Sequence, residues 1–153
     1  MKKFTLLFLL PLLSLFACNT EESQSGPQIS INSLGTETIT VEDEQFFAVQ
    51  SGEALPLSAM IKGDTPLTEY RFEIHIDDGN DHNHRAKSSE VAWEFTKTIL
   101  LTDQPMEIDL NTTVTEVPST GIKTGKYHFG LYARDEFGKE NSEYIDFYIL
   151  EEE

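Results

Sequence analysis

The chain has 153 residues, 27 acidic and 11 basic, for a formal charge of −16, and 39% of it is hydrophobic. Such an excess of negative charge repels nucleic acid and anionic head groups and argues against either as a partner, while it tolerates cations. No P-loop, G-x-S-x-G, H-E-x-x-H or glycine-rich dinucleotide fingerprint occurs, so no familiar catalytic scaffold is indicated.

The chain opens with "MKKFTLLFLLPLLSLFAC": two lysines, an apolar run, then a cysteine. This reads as a secretory signal over residues 1–17, too short to be a spanning helix of roughly 20 apolar residues. Leu15-Phe16-Ala17-Cys18 has the form of a bacterial lipobox. Cys18 is the only cysteine, and lipidation explains a thiol that would otherwise be odd in an exported protein. Acyl chains then anchor the protein to a membrane without spanning it. Residues 18–27 are polar and aperiodic, as in a flexible tether. Glu21 and Glu22 resemble the acidic export signal of outer-membrane lipoproteins, so an outer-membrane lipoprotein is expected, periplasm-facing or exposed at the cell surface. Loss of Lys2 and Lys3 from the 11 basic residues leaves 9 against 27 acidic, a charge of −18. The 136 residues from Cys18 to Glu153 are the length of one domain.

From residue 28 to 150 the dominant period is two. "QISINSL", "FFAVQS", "PLSAMI", "EYRFEIHID", "VAWEFTKTILL", "MEIDLNTTV", "KYHFGLYAR" and "YIDFYIL" alternate or run apolar. Turn-forming stretches such as "KGDTP", "TDQP" and "DEFGKEN" separate them. Seven to eight short strands without an amphipathic helix predict an all-β fold, an immunoglobulin-like antiparallel β-sandwich, followed by an acidic tail over 151–153. Trp93 and Phe95 alternate with polar neighbours and read as core residues rather than a ligand platform.

Three of the four histidines lie in "HIDDGNDHNHR", residues 75–85, and the fourth is His128. In "EYRFEIHID" the apolar set is Tyr70, Phe72, Ile74 and Ile76, which puts Arg71, Glu73, His75 and Asp77 on the opposite face. In "KYHFGLYAR" the apolar set is Tyr127, Phe129, Leu131 and Ala133, so His128 also faces outward. In an immunoglobulin-like sandwich these strands are antiparallel neighbours. His75 and His128 are therefore expected on one outer face at one end, close enough to share an ion. Gly79 lets the following segment reverse, so that His82 and His84 converge on the pair, with Asp77, Asp78 and Asp81 as ligands or as acceptors that orient the rings. Four imidazoles with optional carboxylates suit zinc, copper or nickel better than calcium or magnesium. A calcium EF-hand fails on spacing, since Ser88 or Ser89 falls where the bidentate Glu belongs. The plain alternative is a solvated polar loop beside two solvated histidines. That alternative must also explain why two independent alternations put both strand histidines on one side.

The lipobox, the "EIHID" strand end, the D-x-x-x-D-H-x-H segment, Trp93 and the late "GKYHF…ARDEFGKENS" together resemble an uncharacterised Bacteroidota lipoprotein family, DUF4625. The matching positions are His75, Asp78 or Asp81, His82, His84, Trp93, Tyr127, His128, Asp135 and Gly138. Lys139 stands where Asn is common in such turns. The resemblance implies the immunoglobulin-like fold and supports the His/Asp site, and it implies no activity. The resulting expectation is a non-enzymatic, membrane-anchored protein binding zinc or copper through His75, His82, His84, His128, Asp77, Asp78 and Asp81. Its rival is an adhesion or glycan-binding module in which Tyr132, Tyr144 or Tyr148 stacks on sugars. A zinc hydrolase would need an open coordination position beside a base such as Asp81 or Glu73.

Overall fold

A computed structural model describes residues 25–76 and 91–151. Cys18, most of the tether and the segment carrying Asp77, Asp78, Asp81, His82 and His84 lie outside the described residues.

Among the described residues, nine strands form two sheets. The three-stranded sheet has the order β1 (Gln28–Leu34), β4 (Ala54–Lys62), β7 (Glu107–Glu116). The six-stranded sheet has the order β2 (Glu37–Val41), β3 (Glu44–Gln50), β9 (Glu140–Leu150), β8 (Gly125–Asp135), β5 (Leu67–Ile76), β6 (Phe95–Leu100). Every neighbouring pair is antiparallel except β3 and β9. The arrangement is sandwich-like. Leu55, Leu57, Ala59, Ile61, Leu110 and Val114 of the smaller sheet meet Phe72, Ile74, Tyr127, Phe129, Leu131, Phe147 and Ile149 of the larger, all buried in one cluster. Burial of each such large side chain is worth roughly 1.5–3 kcal/mol. Polar residues take the alternate positions, as the period of two requires.

The sequence pattern predicts seven to eight strands, and β2 is the addition. It pairs with β3 through a two-residue loop in which both Glu42 (φ 50°) and Asp43 (φ 71°) are left-handed. Two-residue hairpin loops of this kind normally carry Asn or Gly, because only those adopt positive φ at little cost. "VEDE" has neither, so it gives no turn signal.

The sandwich has two distinct ends. At one, Asp135 closes the β8–β9 turn: one carboxylate oxygen accepts the Phe137 and Lys139 amides at 3.0 and 2.8 Å, and the other accepts the buried Thr65 hydroxyl at 3.0 Å. Gly138 adopts φ 77° there, a conformation for which glycine is the default residue. At the opposite end the Tyr127 hydroxyl donates to the Lys123 carbonyl at 2.5 Å and accepts the Trp93 amide at 3.4 Å. Trp93 packs edge-on against Tyr127 and partly against the core, as expected for it.

Candidate functional site

β5 and β8 pair so that His75 stands directly opposite His128. Phe72 and Ile74 on β5, and Tyr127, Phe129, Leu131 and Ala133 on β8, take the inward positions; both histidines therefore point out of the sheet and are partly exposed. Their ring centroids are 5.3 Å apart with planes inclined at 51°. Two of the four histidines are thus brought together as the alternation predicts. His82, His84, Asp77, Asp78 and Asp81 lie outside the described residues. Among the described residues, no group of three or more His, Cys, Asp or Glu side chains is placed to hold a metal ion.

The row continues onto β9, where Asp146 stands opposite His128. Its Oδ1 lies 2.5 Å from His128 Nδ1, and its Oδ2 lies 2.7 Å from Lys126 Nζ. The Lys126 ammonium also sits 5.5 Å from the Phe46 ring centre. Asp146 fixes the orientation of the His128 ring, and Lys126 holds the carboxylate in turn.

On the other flank of His75, pairing between β5 and β6 stops at Ile74 and Phe95. The strands part there and leave a recess of about 390 Å³ lined by Glu73, Ile74, His75, Ile76, Glu94 and Thr96. The carboxylates of Glu73 and Glu94 make it acidic on the side that His75 borders. Asp146 and Glu94 are the residues the sequence reading missed. The alternation of "YIDFYIL" does put Asp146 on the outer face. Its partner follows only once the five-residue turn Asp135–Lys139 is counted, which sets Arg134 against Glu140 and hence His128 against Asp146.

Beyond this row the same face turns aromatic. Gly130 stands between Glu73 and Tyr144, and the rings of Tyr132 and Tyr144 lie across it; a Cβ at Gly130 would come within 2.9 Å of both rings. The two phenol oxygens are hydrogen-bonded to each other, and the rings meet edge to face at 5.5 Å. Burial, then the Tyr144 hydroxyl and the Glu73 carboxylate, push the Tyr132 phenol above the usual tyrosine range. The Arg71 guanidinium lies 4.1 Å from the Tyr132 ring centre and covers that ring. Tyr148 packs edge-on against Phe46 at 5.3 Å. Of the three tyrosines considered for sugar stacking, Tyr144 alone is classed as exposed, at 48%.

A family described as "Domain of unknown function (DUF4625)" matches residues 16–150. The sporulation control protein Spo0M of Bacillus subtilis, known from a crystal structure, is similar over 84% of this chain and 51% of its own, with 15% sequence identity and a TM-score of 0.45. The chain spans about half the length of that protein. No curated protein matches.

Proposed function

The chain belongs to the DUF4625 family, and from that premise we propose that it is a lipoprotein, acylated at Cys18 and anchored in the outer membrane, whose immunoglobulin-like domain binds zinc or copper in a non-catalytic site built on His75 and His128. The observation that carries this reading is the direct opposition of the two rings on one outer face, with centroids 5.3 Å apart. A ring nitrogen binds zinc at about 2.0–2.1 Å, which puts each ring centre about 3.2 Å from the ion; two such rings at a tetrahedral angle have centres about 5.2 Å apart. The separation of the two rings is close to that spacing.

With Asp146 on His128 Nδ1, the ligating atom of His128 would be Nε2. A carboxylate behind an imidazole ligand holds its tautomer and raises its basicity. Two histidines are half of a closed zinc site. The remaining ligands would come from His82 and His84, seven and nine residues beyond His75, from Asp77, Asp78 or Asp81, or from Glu73 and Glu94 in the adjoining recess. The immunoglobulin-like assignment is supported by the Tyr127 hydroxyl reaching back to the Lys123 carbonyl at the start of the penultimate strand, a feature of that fold.

The test is elemental analysis of untagged residues 19–153, purified without added metal and then titrated with zinc or copper. One equivalent is expected, and His75→Ala combined with His128→Ala should abolish it. Unchanged stoichiometry in the double variant would overturn the strand-histidine site even if the loop still bound metal. Palmitate labelling lost on Cys18→Ala checks the anchor.

A further inference from the structure

Three exposed apolar side chains gather at the end of the sandwich away from the histidines. Leu100 is 73% exposed, Phe137 63% and Met106 46%. They come from three separate segments, yet Pro66 just before β5 and the first two residues of β5, Leu67 and Thr68, tie those segments together. Pro66 accepts the amide of Glu136, next to Phe137, at 2.9 Å. Leu67 donates to Pro105, next to Met106, at 2.8 Å, and Thr68 accepts the amide of Leu101, next to Leu100, at 2.8 Å. The Phe137 turn is also held rigidly from beneath by Asp135. An exposed phenyl ring in a hairpin turn, with two more exposed large apolar side chains at the same end of the sandwich, loses hydrophobic free energy in water unless something covers it.

The tether enters the domain at this same end. Ser25 donates to Asp64 at 3.1 Å, and the Asn141 amide donates to the Pro27 carbonyl at 2.9 Å. Asp64 precedes Pro66 by two residues, and Asn141 follows the Phe137 turn. Ser25 is only seven positions beyond Cys18, a reach of at most about 25 Å when fully extended.

We propose that Phe137, Leu100 and Met106 form a membrane-contacting tip that dips into the interface of the bilayer holding the Cys18 anchor. The inference rests on the acylation of Cys18 proposed above. A short tether keeps the tip at high local concentration beside the lipid, so a few apolar side chains are enough to seat it. Asp64, Glu136 and Glu140 around the tip disfavour anionic head groups and select zwitterionic ones. With the tip seated, the histidine pair lies at the end distant from the bilayer: His75 is eight residues along β5 from Leu67, about 26 Å at strand rise.

The experiment uses the full chain, expressed in a host that acylates lipoproteins and reconstituted with its anchor in phosphatidylcholine vesicles. Acylation consumes the Cys18 thiol, so Phe137→Cys and, separately, Leu100→Cys each offer one thiol for an environment-sensitive fluorophore; Thr120→Cys, at the opposite end, is the control. Brominated phosphatidylcholine should quench the labels at 137 and 100 roughly twofold and leave the label at 120 unchanged. Vesicle-bound protein whose labels at 137 and 100 behave like that at 120 would overturn the membrane-contacting tip alone. Protein that fails to float with the vesicles would overturn the Cys18 anchor, and the tip with it.

Discussion

Asp146 is placed to matter more than its position on a sheet face suggests. Its two oxygens are divided between His128 Nδ1 and Lys126 Nζ, so the carboxylate cannot turn away from the imidazole without breaking its contact with Lys126. In the proposed site it acts through His128, and its removal should weaken metal binding without abolishing it. Asp146→Asn keeps an oxygen that can still accept from Nδ1 but removes the charge that makes the ring a better donor. Zinc affinity, measured by competition with a chromophoric chelator, is expected to fall about tenfold, the scale seen when acceptors behind metal-bound imidazoles are lost. An unchanged affinity would mean that His128 does not ligate through Nε2 with Asp146 behind it. Of the two residues added by the structure, Asp146 was within reach of the sequence, because the Asp135–Lys139 turn sets its partner. Glu94 was not, since it borders the His75 recess only because the pairing of β6 with β5 begins no earlier than Phe95.

At the level of elements, β5 and β8 were legible because each has one face that must be buried, so a slip by one residue would turn Phe72 or Phe129 into water. That constraint turned His75 and His128 outward, and the expected pairing of their strands then put them on the same side. β2 was not legible for the opposite reason: five residues at the edge of a sheet, none fully buried, give little alternation to read. Its turn hid it further, because Glu42 and Asp43 adopt left-handed conformations that their side chains disfavour. The hairpin is held by its pairing despite the turn. Glu42→Asn together with Asp43→Gly should therefore stabilise the domain, by about 1–2 kcal/mol if the left-handed penalty is relieved at both positions. The readout is the urea midpoint, expected to rise with an unchanged slope. A fall would mean that the two carboxylates make contacts worth more than the strain. Which strands neighbour which was legible only through the immunoglobulin-like pattern; neither composition nor periodicity distinguishes β6 from β9 as the outer neighbour of the pair.

For the whole molecule, Ser25 and the exposed apolar tip lie at one end and the histidine row at the other, and the chain as a whole carries a formal charge of −16. A field of that sign draws cations toward every part of the surface, so weak, non-specific metal uptake by carboxylates is the competing explanation for any metal found. Protons separate the two cases. Imidazole nitrogen is lost to protonation around pH 6.5, whereas exposed carboxylates remain ionised well below pH 5. Metal held by the native state stabilises it by an amount that grows with free metal over Kd, and Kd rises as the ligands protonate. For a histidine site the stabilisation is therefore fully present above about pH 7 and is lost as the pH falls toward 5. The rise in Tm produced by zinc should shrink over that window in the parent chain and be small at every pH once His75 and His128 are both replaced by Ala. A zinc effect that persists undiminished at pH 5, and survives the double substitution, would assign the ion to carboxylates such as Glu73 and Glu94 and return the two histidines to the role of solvated neighbours.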